Sequence, residues 1–347
     1  MKNALFRYDS KGGVYKNMGD YVQSIAARQF VGDKAVLLER DHLHEYEGEP
    51  VKLIMAAWWM HYPENWPPSK NIVPLFTSFH ITPDKADKML SEEGVAYLKK
   101  HEPIGCRDKG TQRLLENRGI RAFFSGCLTL TLGRTYRHEI KKDVVSFVDP
   151  HFGTLSFKKP FSLVRSGLVL LKNFGAIKKI SQKMYSSQSI KSLLKTAEFY
   201  RQYNKLFDQA LLVNADYYTH SAYEPGFKSE KEKFDYTDQL LKAYGASRFV
   251  VTSRLHVSLP TVAMGVPTLF VQSDKIPRSP GRFEGLLEHV NCIEYRSGSW
   301  KGLDGFELPK AKITCSYTFT NKNSHQDLAD AMAKECLKFV AEEASNQ

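Results

Sequence analysis

The sequence lacks the features by which several classes of protein are recognised. Its 347 residues contain no apolar run near the roughly 18 residues that a membrane-spanning helix needs, so no spanning helix is expected. The first residues, MKNALFRYDSKGG, have too short an apolar core for a signal peptide and predict a strand instead. The apolar and charged fractions, 42% and 25%, are typical of a soluble globular protein, and the length suits two domains.

Cysteine is also scarce. The five cysteines are odd in number and widely spaced, and no CxxC pair occurs among them. This pattern argues against a disulfide framework and against a zinc site, and it suits a reducing cytoplasm. His42 and His44 could in principle bind a metal, but acidic residues surround them, so a solvated loop is the favoured interpretation. We therefore expect neither a metal nor a cofactor.

Positive charge, in contrast, is abundant. The formal net charge of +11 implies an anionic partner, either nucleic acid, an anionic membrane surface or a phosphorylated substrate. Residues 158–205 hold eleven Lys or Arg and one acidic residue, Glu198, and interleaved apolar residues make the segment amphipathic and partly helical. Such a segment suits an anionic membrane surface better than nucleic acid. The alternative is a helical pair packed on the second domain with a solvated basic face.

Short apolar runs and amphipathic segments alternate along most of the chain. A strand, a glycine-containing loop and a helix over 17–31 open it as in a Rossmann-like domain, but GxGxxG is absent, so no dinucleotide fingerprint is present. The alternation predicts an α/β fold with mainly parallel sheets in two Rossmann-like domains. We predict domains over 1–140 and 141–347, a basic helical insertion over 158–205 near their junction, and a final helix over 324–341 that packs back on the first domain.

Several further elements are predicted from local pattern alone. Residues 84–100 and 283–290 are expected to be helices, and residues 209–219 a strand region. Trp58, Trp59 and Trp66 lie in a proline-rich loop. This loop could form a sugar-stacking surface, but packing over the domain is the favoured interpretation.

The stretch RFVVTSRLHVSLPTVAMGVPTLFV, residues 248–271, predicts a buried strand, a turn, an apolar helix ended by Gly265 and a second strand. Ser253 can cap the helix, and Arg254 and His256 stand at the turn. Open α/β sheets bind ligands at the carboxyl ends of their strands, and helix N-termini favour anions. Arg254 could instead only pair with a carboxylate, and His256 could be a satisfied core residue. Their spacing at the strand end, within an almost uncharged segment, favours an anion site.

Other polar residues also follow predicted strands or begin predicted helices. They are Asn17, Asp20, His80 and Arg107, together with the loop cations Lys275, Arg278 and Arg282. For Asn17 and Asp20, plain capping of the helix is an equally good explanation.

Four motifs, taken together, resemble the polysaccharide pyruvyl transferase family. They are NMGDYVQ at 17–23, IGCRDKGTQRLL at 104–115, FSGC at 124–127 and TSRLHVSLPTVAMGVP at 252–267. They occur in the family's order and span nearly the whole chain, and RLH between two strands is the most specific of them. The basic segment 158–205 matches no motif of the family.

The resemblance implies two Rossmann-like domains that face each other across a cleft, as in GT-B glycosyltransferases. It implies transfer of the enolpyruvyl unit of phosphoenolpyruvate onto sugar hydroxyls, usually with closure of a cyclic ketal. By the same resemblance, Arg254, Leu255 and His256 line the phosphoenolpyruvate site in the second domain, and Arg107 supplies a second cation. The first domain is then expected to hold the acceptor.

This chemistry agrees with the residue types. Phosphoenolpyruvate carries a carboxylate and a phosphate, which arginine binds bidentately. Protonation of the enol carbon gives an oxocarbenium-like carbon that a sugar hydroxyl attacks, and His256 can gain and lose a proton near neutral pH. The remaining candidates for phosphate or acceptor contacts are Asn17, Asp20, His80, Lys275, Arg278 and Arg282.

The sequence is therefore compatible with three functions. The first is a cytoplasmic pyruvyl transferase that acts on a cell-surface or capsular polysaccharide or its lipid-linked precursor, with peripheral membrane contact through 158–205 and no nucleic-acid partner. The second is a GT-B-like glycosyltransferase that uses a nucleotide sugar, because a fold does not fix a function. The third is a basic binding protein with a decayed site, which intact Arg254 and His256 disfavour.

Overall fold

The computed structural model describes residues 1–8, 16–140, 143–153, 160–222, 226–273 and 281–342. The strands are β1 (Lys2–Arg7), β2 (Lys16–Asn17), β3 (Val36–Glu39), β4 (Val51–Ile54), β5 (Trp58–Trp59), β6 (Ile72–Leu75), β7 (His80–Ile81), β8 (Ile104–Cys106), β9 (Ala122–Phe124), β10 (Ser146–Val148), β11 (Asp216–Tyr218), β12 (Ser221–Ala222), β13 (Val250–Thr252), β14 (Thr268–Gln272), β15 (Asn291–Arg296) and β16 (Ser299–Leu303). The α-helices are α1 (Met18–Val31), α2 (Pro83–Met89), α3 (Glu92–Lys100), α4 (Lys109–Glu116), α5 (Pro160–Lys172), α6 (Phe174–Met184), α7 (Ile190–Tyr203), α8 (Gln209–Asn214), α9 (Glu230–Gly245), α10 (Leu255–Ala263) and α11 (Gln326–Ala341). Short 3₁₀ helices cover Arg40–Glu45, Pro63–Asn65, Leu128–Arg134 and Leu287–His289.

Two larger sheets and the helices around them make this an α/β fold, as predicted. The first sheet has the order β3-β1-β4-β6, and all its neighbouring strands are parallel. The second has the order β11-β10-β13-β14-β15-β16, and it is parallel except for the final β15–β16 hairpin. Strands β4, β13 and β14 are buried along their whole length, as expected for parallel strands covered on both faces.

The two sheets are joined by shared packing. Strand β2, which precedes α1, pairs antiparallel with β12, and the Met18 amide donates to the His220 carbonyl at 2.9 Å. Helix α1 also packs against α9 and α10, and one apolar cluster includes core residues from both sheets. Helix α11 packs against α1 and the 3₁₀ helix Leu128–Arg134. Elements from both sheets therefore share one apolar core.

The tryptophan-rich loop is packed inside the fold. Trp59 and Trp66 are buried with ring centroids 5.2 Å apart, so the packing interpretation is confirmed. Trp58 lies beneath Arg40, whose guanidinium carbon is 4.9 Å from the indole centroid. His42 and His44 lie partly exposed beside Glu45.

The predicted helix over 283–290 is wrong. Residues 281–286 form turns, and only Leu287–His289 make a short 3₁₀ helix. Gly285 has φ of +87°, a left-handed conformation that interrupts an α-helix, and a Cβ there would lie 2.8 Å from the Phe124 ring. The chain at 283–290 is therefore shaped by its contact with β9.

Two other predictions of local structure need correction. The predicted strand region over 209–219 begins with helix α8, which Asp208 caps by accepting a hydrogen bond from the Ala210 amide, and only β11 is extended. The predicted helix over 84–100 is divided into α2 and α3, because Ser91 caps the second helix by accepting from the Gly94 amide. In both cases a capping side chain begins a new helix.

Within the ranges that the structure describes, no helix is long and apolar enough to cross a membrane.

Candidate functional site

The turn after β13 is fixed by hydroxyl groups. The Thr252 hydroxyl donates to the Val148 carbonyl at 2.8 Å and accepts from the Arg254 amide at 3.0 Å. Helix α10 then begins at Leu255 with Arg254 as its N-cap residue. Ser253 does not cap the helix as predicted, because its hydroxyl instead donates to the Val271 carbonyl and accepts from the His151 amide. Ser253 thus ties together the ends of three neighbouring strands.

Arg254 has a carboxylate partner and also faces a cavity. Its Nε donates to Asp149 Oδ2 at 2.9 Å and its Nη2 donates to the Ser221 hydroxyl at 3.0 Å, while 39% of the side chain remains exposed. Asp149 also accepts from the His220 amide and has φ of +41°, a strained value for a residue with a side chain. Strain of this kind concentrates at functional sites. The pair therefore orients Arg254 without closing it off from a ligand.

A cavity of about 870 Å³ lies at the carboxyl edge of the second sheet. Its wall includes Asn17 and Gly19 from the start of α1, and Arg254, His256 and Arg282 from the second sheet's side. A Cβ on Gly19 would lie 3.1 Å from His256 Nδ1, so this glycine lets α1 approach the imidazole closely. The cavity is thus formed by elements that lie far apart in the sequence.

A buried polar layer adjoins this cavity. Arg107 is fully buried, and its three guanidinium nitrogens make no hydrogen bond to any residue among those described. Its Nε lies 3.5 Å from Asp108 Oδ2, and the same carboxylate oxygen lies 2.6 Å from His80 Nδ1. Thr111 completes the layer, since its amide donates to Asp108 Oδ1 at 2.9 Å. A buried guanidinium without hydrogen-bond partners is unusual and suits an anionic ligand.

The loop that carries Arg282 is anchored on helix α4. Arg113 donates two hydrogen bonds to Glu284, at 2.7 and 2.6 Å, and the Lys109 amide donates to the Glu284 carbonyl. The backbones of Gly110 and Gly281 meet so closely that a Cβ on Gly281 would lie 2.6 Å from Gly110 Cα. These contacts hold Arg282 near Arg107.

Burial and nearby cations control the protonation of the histidines. Burial, followed by the charges of Arg107 and Arg282, holds the pKa of His256 well below its usual 6.5. The imidazole is therefore neutral near pH 7 and does not titrate there, contrary to what its residue type led us to expect. Burial and Arg107 lower the pKa of His80 to about 4, against the opposing effect of Asp108. Burial and the charge of Arg107 also lower the pKa of Arg282 to about 10, which leaves it charged.

The pKa of the Asp20 carboxyl is raised, whereas those of the histidines are lowered. Burial raises its pKa above the usual 3.8, although Arg40, Arg282 and Arg107 oppose the shift. Asn17 caps α1, because its side chain accepts from the Gly19 amide at 3.1 Å, and it also lines the cavity. The two explanations considered for Asn17, capping and ligand contact, are therefore compatible.

Five of the predicted site residues line the cavity: Asn17, Arg254, Leu255, His256 and Arg282. Asp20, His80 and Arg107 are not among the residues that line it, although Arg107 and His80 are near enough to lower the pKa of His256. Lys275 and Arg278 lie outside the described residues.

Sequence reasoning missed two residues at the cavity, Asp149 and His220. Asp149 directly follows β10, and His220 stands two residues beyond β11. Burial, and then the nearby Arg254 charge, lower the pKa of His220 to about 4 against the effect of Asp149. The rule that ligands bind at the carboxyl ends of parallel strands, applied to every strand, would have found both. Among the described residues, no group of three or more His, Cys, Asp or Glu is placed to hold a metal ion.

The fold and the cavity define an α/β protein whose cationic pocket suits a small anionic ligand. The family model for polysaccharide pyruvyl transferase matches residues 17–275, well over half of the chain, and the chain belongs to this family. Membership supports transfer of a pyruvyl group to a polysaccharide, and it does not favour the nucleotide-sugar alternative. No curated protein and no solved structure matches the chain.

Proposed function

We propose that the cavity binds phosphoenolpyruvate as the donor of the pyruvyl group. The observation that carries this proposal is buried Arg107, whose guanidinium nitrogens make no hydrogen bond to the described residues. Arg282 and Arg254 add two further cations near His256. A donor with a carboxylate and a phosphate matches Arg254 and Arg282 on the cavity wall, because a guanidinium can bind an oxyanion bidentately, and the buried charge of Arg107 adds to their attraction.

The protonation states suggest distinct roles for two side chains. His256, neutral near pH 7, can accept the proton of the attacking sugar hydroxyl. Asp20 directly follows Gly19 of the cavity wall, and burial raises its pKa, so it is the candidate to protonate the enol methylene carbon, which becomes a methyl group. The hydroxyl oxygen then bonds to the cationic carbon, and the bond from that carbon to the phosphate oxygen breaks. A second hydroxyl closes the ketal on the same carbon, and its proton passes to the departing phosphate. Arg107, Arg254 and Arg282 stabilise the phosphate as it departs.

The arrangement of the halves is proposed to be GT-B-like, with domains over 1–140 and 141–347 that meet at the cavity. The walls support this division, because Asn17 and Gly19 face Arg254 and His256 across the cavity. Its volume of about 870 Å³ exceeds what one small donor needs and leaves room for a sugar beside it. We place the acceptor on the side of the first domain. The acceptor is a polysaccharide or its lipid-linked precursor in the cytoplasm, where phosphoenolpyruvate is made.

Calorimetric titration with phosphoenolpyruvate, and separately with UDP- and GDP-sugars, tests the donor. We expect saturable binding of phosphoenolpyruvate alone, and loss of that binding in Arg254→Ala. Arg121→Ala is the matched control, because Arg121 also pairs with a carboxylate, that of Glu102, but lies outside the cavity. Unchanged affinity in Arg254→Ala would defeat the site assignment. Binding of a nucleotide sugar without any effect of phosphoenolpyruvate would select the glycosyltransferase instead.

A further inference from the structure

The outer face of α5 exposes a stripe of large apolar side chains. Val164, Leu168 and Leu171 are 62%, 56% and 77% exposed, and their spacing places them on one side of the helix. Phe174, at the start of α6, is 50% exposed, and Ile190, at the start of α7, is 67% exposed. Five of the eleven exposed large apolar residues in the described ranges therefore fall within 164–190. A concentration of this kind marks an interaction surface.

The charge around this stripe has one sign. Arg165, Lys172, Lys178 and Lys179 are exposed on α5 and α6, and the sequence contains no acidic residue from 160 to 197. Glu198, the acidic residue of the wider segment, is buried and lies between Arg165 and Arg201. The surface that α5 and α6 present is thus both apolar and cationic.

We propose that this face of α5 and α6 docks on the surface of an anionic lipid bilayer. Apolar side chains enter the interface between headgroups and acyl chains, and the flanking cations bind anionic headgroups. A second copy of the chain fits poorly, because a two-fold contact through this face would bring its cations together. Nucleic acid would match the cations but would leave the stripe of Val164, Leu168 and Leu171 exposed to water.

The docking face is linked to the cavity by one helix. Helix α6 has 11 residues, so it is about 16 Å long at the usual rise per residue. It begins at exposed Phe174, and Lys183, Met184 and Tyr185 at its other end line the cavity. Docking would therefore hold the cavity wall within about that length of the bilayer surface. If the proposed function is correct, a lipid-linked sugar could reach the cavity without leaving the membrane.

Vesicle flotation of the whole protein tests this inference. The vesicles contain phosphatidylcholine alone or phosphatidylcholine with about 30% phosphatidylglycerol. We expect binding to the anionic vesicles, and a loss of at least about ten-fold in partitioning for the double variant Leu168→Glu/Leu171→Glu. We also expect weaker binding to anionic vesicles for the triple variant Lys172→Glu/Lys178→Glu/Lys179→Glu. Its difference from wild type should be larger at low salt than at high salt, because salt screens the attraction to the headgroups. Leu337→Glu, an exposed leucine on α11, is the matched control and should bind normally.

The outcomes separate this inference from the proposed function. Equal flotation of wild type and Leu168→Glu/Leu171→Glu would overturn the docking face, as would binding to RNA with no binding to vesicles. Concentration-dependent dimerisation that the double variant abolishes, without vesicle binding, would also overturn it. Phosphoenolpyruvate binding, measured by titration without lipid, should be the same in both proteins, and circular dichroism should confirm that both are folded. If the wild-type protein does not bind phosphoenolpyruvate, the proposed function is contradicted, whereas the vesicle result still stands.

Discussion

Replacement of Arg107 by methionine gives the sharpest test of the candidate site. Methionine fills a similar volume but carries no charge, and Arg107 is fully buried without hydrogen bonds to the described residues. If Arg107 is kept for a ligand, Arg107→Met should abolish binding of phosphoenolpyruvate while barely changing the stability of the ligand-free protein. If Arg107 instead stabilises the fold, Arg107→Met should lower the stability of the ligand-free protein and leave binding of phosphoenolpyruvate largely unchanged.

The magnitude follows from the surroundings of Arg107. Among the described residues, its closest opposite charge is Asp108 Oδ2 at 3.5 Å, an attraction of about 5 kcal/mol at an effective dielectric constant of about 20. Its three buried nitrogens make no hydrogen bond to the described residues, which costs about 1–3 kcal/mol each and offsets that attraction. We therefore expect Arg107→Met to lower the free energy of unfolding by no more than about 2 kcal/mol. Loss of one partner of a well-paired buried ion pair costs about 3–5 kcal/mol.

Differential scanning fluorimetry with and without phosphoenolpyruvate makes the comparison. A ligand at 100 times its Kd adds about 2.7 kcal/mol of stability, which is roughly 4 °C in melting temperature for a chain of this length, and Arg107→Met should lose this shift. Arg40→Met is the control, because Arg40 is equally buried but contacts Asp41 at 2.6 Å. It should melt at a lower temperature and keep most of the ligand shift. A strongly destabilised Arg107→Met protein that still responds to phosphoenolpyruvate would refute the reasoning.

Two further predictions concern protonation. The donor's negative charge offsets the field of Arg107 and Arg282 and should raise the pKa of His256, so phosphoenolpyruvate binding should take up more protons in wild type than in His256→Gln. Calorimetry in buffers of different ionisation enthalpy measures this difference, and the variant should also lose about 10²–10⁴-fold in turnover. The second concerns His80, whose pKa is about 4 in the folded protein and 6.5 ordinarily. Below about pH 6.5 the unfolded chain binds a proton that the folded protein excludes, so His80 should lower stability by up to about 3 kcal/mol as pH falls towards 4. His80→Gln should show a smaller fall in acid urea titrations, and an identical slope would contradict this prediction.

Local patterns predicted the parts of the fold and the site that depend on neighbouring residues. The strand, turn and helix around Arg254 are encoded within about twenty residues, and the start of α1 is set by Asn17. The family motifs also belong to such local units. These elements could therefore be located before any tertiary contact was known.

Other features depend on contacts between distant segments and could not be read from local pattern. At the turns around Gly285, the backbone has a positive φ and lies so close to Phe124 of β9 that a Cβ would meet its ring at 2.8 Å. The low pKa of His256 arises from burial and from Arg107, which lies about 150 residues away in the sequence. The absence of hydrogen-bond partners around Arg107 within the described residues is likewise a property of the folded layer.

The contact between Gly110 and Gly281 also constrains how related sequences can change. A side chain at either position would push the loop of Arg282 away from α4, because backbone atoms of one glycine lie within 3 Å of a Cβ built on the other. The two positions should therefore vary together during evolution, although 170 residues separate them. If one of these glycines is replaced, the loop no longer holds the arginine at 282 in place, so selection to keep that arginine should weaken as well. We therefore expect the residues at these three positions to change together.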